Sequence, residues 1–381
     1  MKSYIEETWE KIFGSRKAKR IFVAATRQNV GKTTVSMGLI ASLANKFNNI
    51  AFIKPVGQRY VTENGYKVDE DSVLIEKVFN FPISLHDMSP VAIERGFTER
   101  FIDGTETFNT EANIKDAFGR ISENKDLIVI EGTGHAGVGS VFDMSNAAVA
   151  RMLGSKVILV SPGGIGNAID EIMLNKSVFD NQGVKLAGVV INKVLQSKYD
   201  KINKYIRMGL KRLDIEVLGV VPYLDVLDRP TLQDIREELD MHVLCGEDSL
   251  ESQTKKILVG AMEVREAAQH LEDGCLVITP GDRNDLLNLL TKVHTARFNK
   301  TPKKILGVIL SGALVPKRSV ILALKKAGIP TLMSRFDTYD VASRVHDLTV
   351  KIKFRDKDKV KLAIETIQKY VDIERVIENL G

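Results

Sequence analysis

The clearest chemistry in the chain lies near its start. Arg27-Gln28-Asn29-Val30-Gly31-Lys32-Thr33-Thr34 directly follows the apolar run Ile21-Phe22-Val23-Ala24-Ala25 and opens a stretch with helical spacing. Strand, glycine-bearing loop and helix in that order form a cradle for phosphate. Backbone N–H groups from Asn29 to Thr34 and the helix N-terminus converge on the anion, so Gly31 stands where the backbone must come close. Lys32 is placed to reach the β- and γ-phosphates, and the Thr33 hydroxyl to ligate Mg2+. The expected ligand is therefore ATP with Mg2+. One position departs from G-x-x-x-x-G-K-[ST]: its first glycine would fall at 26, and this chain has Thr26.

Further polar residues follow the other apolar runs. Glu131 ends Leu127-Ile128-Val129-Ile130, where a carboxylate can hold Mg2+ directly or through water, and Asp71 is a second acid that can share the ion. The competing reading of Glu131 is an exposed strand-end acid, but Gly132 and Gly134 argue for close approach to a ligand. Asp71 lies in the run Asp69-Glu70-Asp71, which by itself reads as solvated surface. Lys54, between a buried strand and Pro55, can reach a transferring phosphoryl group or an anionic substrate, or simply snorkel to the surface. Gly132, Thr133, Gly134 and His135 form a candidate phosphate or substrate loop. His135 fits an acid/base, a contact residue or a satisfied loop histidine. Asn192 can offer its amide to an adenine edge, with Pro222 and Tyr223 closing the base pocket.

These residues need a scaffold. From 21 to about 228, β-rich apolar runs (50–53, 127–130, 157–160, 188–191, 217–221) alternate with helical stretches. Continuous apolar strands predict a parallel sheet with helices on both faces, and ligands then belong at the strands' carboxyl ends. Val35, Leu39 or Ile40, Leu43 and Phe47 mark one buried face of the first helix. At 381 residues the chain exceeds one core, so two domains are expected. Arg229-Pro230-Thr231 begins the second, with Thr231 and Asp234 as N-cap and third-position acid. Its strands are expected at 257–259, 276–279, 305–310, 331–333 and 350–354. The organisation predicted is an N-terminal helix over 1–20, domains at 21–228 and 229–355, and a C-terminal packing helix over 356–381, with Val360, Ile364, Ile367 and Val371 on one face. Ile5, Trp9 and Ile12 or Phe13 give the N-terminal helix an apolar face, for docking on its own domain or for a membrane or partner contact.

Composition narrows the function classes. Hydrophobic residues make up 44% and charged residues 27%, and Lys plus Arg exceed Asp plus Glu by only five. That excludes disordered and coiled-coil classes and does not imply nucleic acid. Cys245 and Cys275 are isolated, so neither a disulfide nor a zinc site is expected. No run approaches the ~18 apolar residues of a membrane span, and Glu6, Glu7 and Glu10 are unlike a secretory signal. A cytoplasmic protein with no membrane partner is expected.

Residues 21 to about 224 resemble dethiobiotin synthetase and, more closely, the dethiobiotin-synthetase-like N-terminal domain of long bacterial phosphate acetyltransferases. The matching pieces are Ala25 through Thr33, Phe52-Ile53-Lys54-Pro55-Val56, Asp71-Ser72-Val73-Leu74, Ile130-Glu131-Gly132-Thr133-Gly134, Val190-Ile191-Asn192-Lys193 and Leu218-Gly219-Val220-Val221-Pro222. The resemblance implies phosphate and Mg2+ binding by Lys32 and Thr33, metal service by Asp71 and Glu131, a carbamate-holding role for Lys54, and adenine contacts at Asn192 and Pro222. It also implies a homodimer. Residues 229 to about 350 resemble the DRTGG domain of the same acetyltransferases, through Val259-Gly260-Ala261-Met262, Ile278 through Arg283, Leu310 through Ala313 and Asp337-Thr338-Tyr339. That domain is regarded as regulatory or ligand-binding. Asp282 and Arg283 are its candidate ligand residues, with a structural turn and an internal ion pair as the competing reading. The acyltransferase domain is not part of this sequence, so the chain by itself is not expected to be an acetyltransferase. His135 replaces a glycine of dethiobiotin synthetase, which argues against the same substrate. Arg27 occupies the place of a signature lysine in a related ATPase group, where it can act across a dimer as a charge-stabilising finger.

Two functions follow. One is an Mg-ATP-dependent ATPase or ligase that phosphorylates a carboxylate or carbamate of a small-molecule substrate, with Lys32, Lys54 and Arg27 as catalytic residues. The other is a non-enzymatic nucleotide sensor that acts through its DRTGG domain on a protein partner such as an acyltransferase.

Overall fold

The continuous apolar runs assemble into a six-stranded sheet in the computed structural model, which describes residues 18–105, 109–295, 303–348 and 350–381. Its strands are β1 Lys19–Ala25, β2 Ile50–Ile53, β3 Leu127–Glu131, β4 Lys156–Pro162, β5 Leu186–Val194 and β6 Val217–Pro222. Their order is β6-β5-β4-β1-β3-β2, and every pairing is parallel. Because helices cover both faces, β2 and β3 are buried along their whole length, which is why they read as unbroken apolar runs. β1 lies between β3 and β4. The loops leaving these three neighbouring strands therefore share the carboxyl edge where such sheets bind ligands. The N-terminal helix expected before β1 lies outside the described residues.

Helix α1, Lys32–Leu43, follows the loop after β1. A single buried face was expected, yet Val35, Ser36, Met37, Gly38, Leu39, Ile40, Ser42 and Leu43 are all buried, and the helix ends before Phe47. The cause lies far along the chain, in a helix packed across its outer side. A Cβ at Gly38 would stand 2.2 Å from the Ile367 Cβ. Two other helices matter for the site: α2, Glu70–Phe79, and α3, Gly166–Asn181. A hairpin, Tyr60–Glu63 with Tyr66–Asp69, turns at Asn64-Gly65, both at positive φ, as a two-residue turn demands. It delivers Asp69 to the N-cap of α2.

Ile367 belongs to a tail of two helices, α4 Lys357–Tyr370 and α5 Ile373–Leu380. The break falls where Val371 is extended and bridges Gly219, after which Asp372 caps α5 by accepting from the Arg375 N–H at 3.0 Å.

The chain divides into two compact units, one running to Leu224 and resuming at Ile352–Gly381, the other Asp225–Lys351. The second contains β7 His242–Cys245, β8 Lys256–Val259, β9 Cys275–Pro280, β10 Ile305–Ser311 and β11 Thr331–Met333. Their order is β7-β11-β10-β9-β8, with β7 antiparallel to β11. The strand expected at 350–354 does not form; described residues there are irregular. The place beside β11 is taken by β7, and residue 352 already rejoins the first unit. Thr231 and Asp234 form the expected capping box at the helix Leu232–Glu238. Apolar clusters line both faces of the sheet, Val277, Val308 and Leu310 on one side and Leu276, Ile278 and Ile309 on the other. Cys245 and Cys275 are buried and free. Among the described residues no helix is long and apolar enough to cross a membrane.

Candidate functional site

The loop after β1 is shaped by two left-handed residues, Asn29 at φ 60° and Gly31 at φ 90°. Gly31 caps α1 without any side-chain cap, and a helix N-terminus of that kind suits an anion. Gly31 is needed for a second reason. Its Cβ would lie 2.3 Å from the Asn192 Nδ2, because Asn192, buried at the end of β5, donates from that nitrogen to the Val30 carbonyl at 2.8 Å. The side chain assigned to adenine thus first holds the loop from beneath. The Tyr223 N–H donates to the Val194 carbonyl at 2.7 Å, fixing the neighbouring Pro222-Tyr223 end of β6.

Beside the loop stands a cage of charge. Glu131 is 0% exposed, and its Oε1 accepts from the Thr33 hydroxyl at 3.0 Å. Lys54, only 4% exposed, places Nζ 3.0 Å from Asp69 Oδ1 and 3.5 Å from Glu131 Oε1, and hydrogen-bonds to Asp71. Lys54 is therefore not a snorkelling surface residue. Asp71, at 6%, and Asp69, at 1%, are buried too, so the acidic run is not a solvated face. Asp69 accepts from the Asp71 N–H at 2.9 Å and caps α2. Gly57 makes room for it, since a Cβ there would lie 2.6 Å from the Asp69 Cβ.

The charges shape one another. Burial works against the Lys54 ammonium, but Asp71, Asp69 and Glu131 outweigh it and raise its pKa above the ordinary lysine value. Burial raises the Glu131 pKa; Lys54 pulls it back, Asp71 pushes it up, Lys32 and the Ser36 hydroxyl pull it down again, and the net shift is upward. The Glu131 Oε2 is buried with no hydrogen-bond partner, a state that disfavours the charged form unless a cation or donor arrives. Three carboxylates around the Lys54 ammonium, with the Thr33 hydroxyl on the other oxygen of Glu131, suit a hard divalent cation. Mg2+ needs only one or two protein carboxylates when phosphate oxygens complete its shell. Among the described residues no group of three or more His, Cys, Asp or Glu is arranged to hold a metal ion by itself.

The glycines after Glu131 have a different cause from the one expected. A Cβ at Gly132 would meet Phe22 at 2.6 Å and Asn146 at 2.7 Å, and Gly134 has φ 65° with Val138 2.8 Å from its Cβ position. Packing requires both, so they are no longer evidence of a ligand. Asn146 fixes this loop, accepting from the Thr133 N–H at 3.1 Å and donating to the Thr133 and His135 carbonyls at 2.7 Å. Thr133 donates to the Val56 carbonyl. His135 is exposed, its Nδ1 accepting from the Gly137 N–H at 3.2 Å.

Thr26, in place of glycine, donates to Glu171 Oε2 at 2.8 Å. Arg27 reaches the same carboxylate at 3.8 Å while 58% exposed. From α3, Asn175 accepts from the Ala136 N–H at 2.8 Å and donates to the Thr26 carbonyl at 3.3 Å, tying the two loops together. Asp69, Asn146, Glu171 and Asn175 escaped the sequence reading. Only Asp69 left a signal, as an Asp two residues before another at a helix start.

In the second unit Arg283 is engaged internally. Its guanidinium donates to Asp285 at 3.0 Å, to the Gly260 carbonyl at 3.2 Å and to the Met262 carbonyl at 3.1 Å. Asp282 is exposed. Gly281 serves close packing rather than a sharp turn, as its Cβ would fall 1.7 Å from the Leu314 carbonyl oxygen. The internal ion pair is the reading this geometry fits.

A parallel sheet whose β1 runs through a left-handed glycine loop into a helix, with a buried acid ending the adjacent strand, is the architecture of a P-loop NTPase. The chain belongs to the AAA domain family (AAA_26), whose model matches residues 19–231, and a DRTGG domain follows at residues 234–348. It is 25% identical to the phosphate acetyltransferase of Nitratidesulfovibrio vulgaris over 366 residues, covering 93% of this chain and 51% of that protein. The Pseudomonas aeruginosa phosphate acetyltransferase is also 25% identical, over 94% of this chain and 52% of its own length. The chain thus spans about half the length of the curated relatives it matches. Among solved structures, the MinC:MinD cell division complex of Aquifex aeolicus aligns at 16% identity over 55% of this chain and 84% of that one, with a TM-score of 0.34.

Proposed function

We propose that the first unit binds Mg-ATP, with phosphates on the Asn29–Thr34 backbone and Lys32, and Mg2+ on Thr33 and Glu131 with Asp71 alongside. The observation that carries this reading is the buried Glu131 carboxylate, one oxygen on the Thr33 hydroxyl and the other without a hydrogen-bond partner, next to a helix N-terminus that no side chain caps. When bound, the ion supplies charge neutralisation at the phosphoryl group. The protein's own part is to orient the triphosphate and hold Lys54 close to the acids that serve the ion. The activity most in keeping with that site is ATP hydrolysis or phosphoryl transfer to a small carboxylate or carbamate. A homodimer in the cytoplasm completes the reading.

A second reading is a nucleotide-responsive regulator working through the DRTGG unit on a partner. The engagement of Lys54 by three acids, and of Arg27 by Glu171, favours it, because both cations already have carboxylate partners within the chain. One experiment separates the two. Melting with ATP and Mg2+ should show stabilisation of about 2.7 kcal/mol at a hundredfold excess over Kd, absent from Lys32→Ala. Phosphate release that rises with a pool of small carboxylates and amines identifies the enzyme, and binding without release the regulator. No stabilisation by any purine nucleotide removes both.

A further inference from the structure

Lys54 does not reach outward from its strand; it sits among the acids that the reading above assigns to the metal. Its Nζ hydrogen-bonds to Asp71 and approaches Glu131 Oε1 at 3.5 Å, the oxygen that also accepts from Thr33. The third partner, Asp69 at 3.0 Å, belongs to no candidate metal set. It is nonetheless the most constrained of the group. Its backbone N–H donates to Ser89 Oγ at 2.8 Å, its carboxylate caps α2, and Gly57 leaves space for it alone.

We propose that Lys54 is the resident counter-cation of this site and that Asp69 is its positioning residue, so that the ammonium and a divalent cation compete for the Asp71 and Glu131 oxygens while Asp69 retains the ammonium in either case. This deepens the Mg-ATP reading and rests on it. The physical basis is geometric: one ammonium lies within ion-pair distance of all three buried carboxylates, and a charge buried there needs a partner of opposite sign. An ammonium tethered through its own side chain meets that need when no metal is bound. Once a divalent ion takes two of its three partners, Lys54 remains buried and needs the third. Asp69 thus acts through Lys54 on the affinity of the metal, as residues behind metal ligands do.

The test uses the full chain and measures Mn2+ binding by electron paramagnetic resonance, with and without ATP, beside melting temperatures in Mg2+. In Lys54→Gln the competitor is gone, so Mn2+ without nucleotide should bind about tenfold tighter or more than in wild type. Mg2+ alone should raise the melting temperature of that variant by more than it raises the wild type's. Asp69→Asn keeps a capping side chain but removes the charge, and Mn2+ with ATP should bind about tenfold more weakly. In the Lys54→Gln background the same Asp69→Asn change should have much less effect, because the residue through which it acts is missing. That double variant also removes one cation and one anion together, and serves if Lys54→Gln alone does not fold. Mn2+ affinity unchanged or weaker without Lys54, or an Asp69→Asn loss equal in both backgrounds, overturns the proposal. Wild type that binds neither ATP nor Mn2+ sinks the Mg-ATP reading itself, whereas wild-type binding with unaltered Mn2+ affinity in Lys54→Gln sinks only this one.

Discussion

At the scale of single residues the nucleotide loop is a joint between two backbones. Gly31 combines φ 90° with an Asn192 amide 2.3 Å from its missing Cβ, and that amide holds the Val30 carbonyl. Gly31→Ala should therefore cost about 1–3 kcal/mol from backbone strain, plus the displacement of Asn192. Asn192→Ala should cost about 1–3 kcal/mol for the buried carbonyl left unpaired. In the double variant the space is open, so its loss in urea should fall short of the sum of the singles; additive losses would show that the two residues are not in conflict. The pair also marks what a linear reading can see. Gly31, Lys32, Thr33 and Glu131 were legible because strand, loop and helix follow one another locally. Asn192 was noticed as a strand-end amide, but its grip on Val30, 162 positions away, belongs to strand order, which local pattern does not carry.

At the scale of elements, the parallel strands were legible because burial on both faces leaves unbroken apolar runs. The edge strand β7 was not, since its burial is mostly partial and its partner lies far along the chain. Helix α1 shows the same limit: its sheet-facing side had a visible period, while its outer side is buried by α4 through a contact between Gly38 and Ile367. A contrast between two helical glycines tests that packing. Gly119, in the helix Thr110–Ser122, has nothing within 4 Å of its Cβ position, so Gly119→Ala should gain about 1 kcal/mol from helix propensity. Gly38→Ala has the same propensity gain but drives a methyl into Ile367, and overpacking of about 1–3 kcal/mol should reverse the sign. Urea midpoints decide it. Two gains of similar size would mean that α4 is not seated on α1 in solution. A shifted α1 should also weaken ATP binding, because its N-terminus is the phosphate seat.

At the scale of the whole molecule, the chain leaves one unit at residue 224, builds a second, and returns at 352 to supply α4 and α5. The second unit carries its own pH response. His294, ending the helix Asn284–His294, accepts the Ile305 N–H on Nδ1 at 3.0 Å and so fixes the start of β10. Burial first, then the charge of Lys304, lowers its pKa below the ordinary histidine value, and an N–H donated to Nδ1 likewise favours the neutral ring. The folded form therefore sheds its proton at lower pH than the unfolded chain does. Below about 6.5 the unfolded chain holds a proton that the folded one lacks, so stability is complete above that pH and drains away as pH falls through the folded value. Other groups titrate as well, so the measurement is a difference. His294→Asn keeps an acceptor for Ile305 without a titrating ring, and between about pH 7 and 5 it should lose less stability in urea than wild type does. Equal losses in the two proteins would mean that the Ile305 N–H is not held by a neutral imidazole. The pH response of this unit would then have to come from elsewhere.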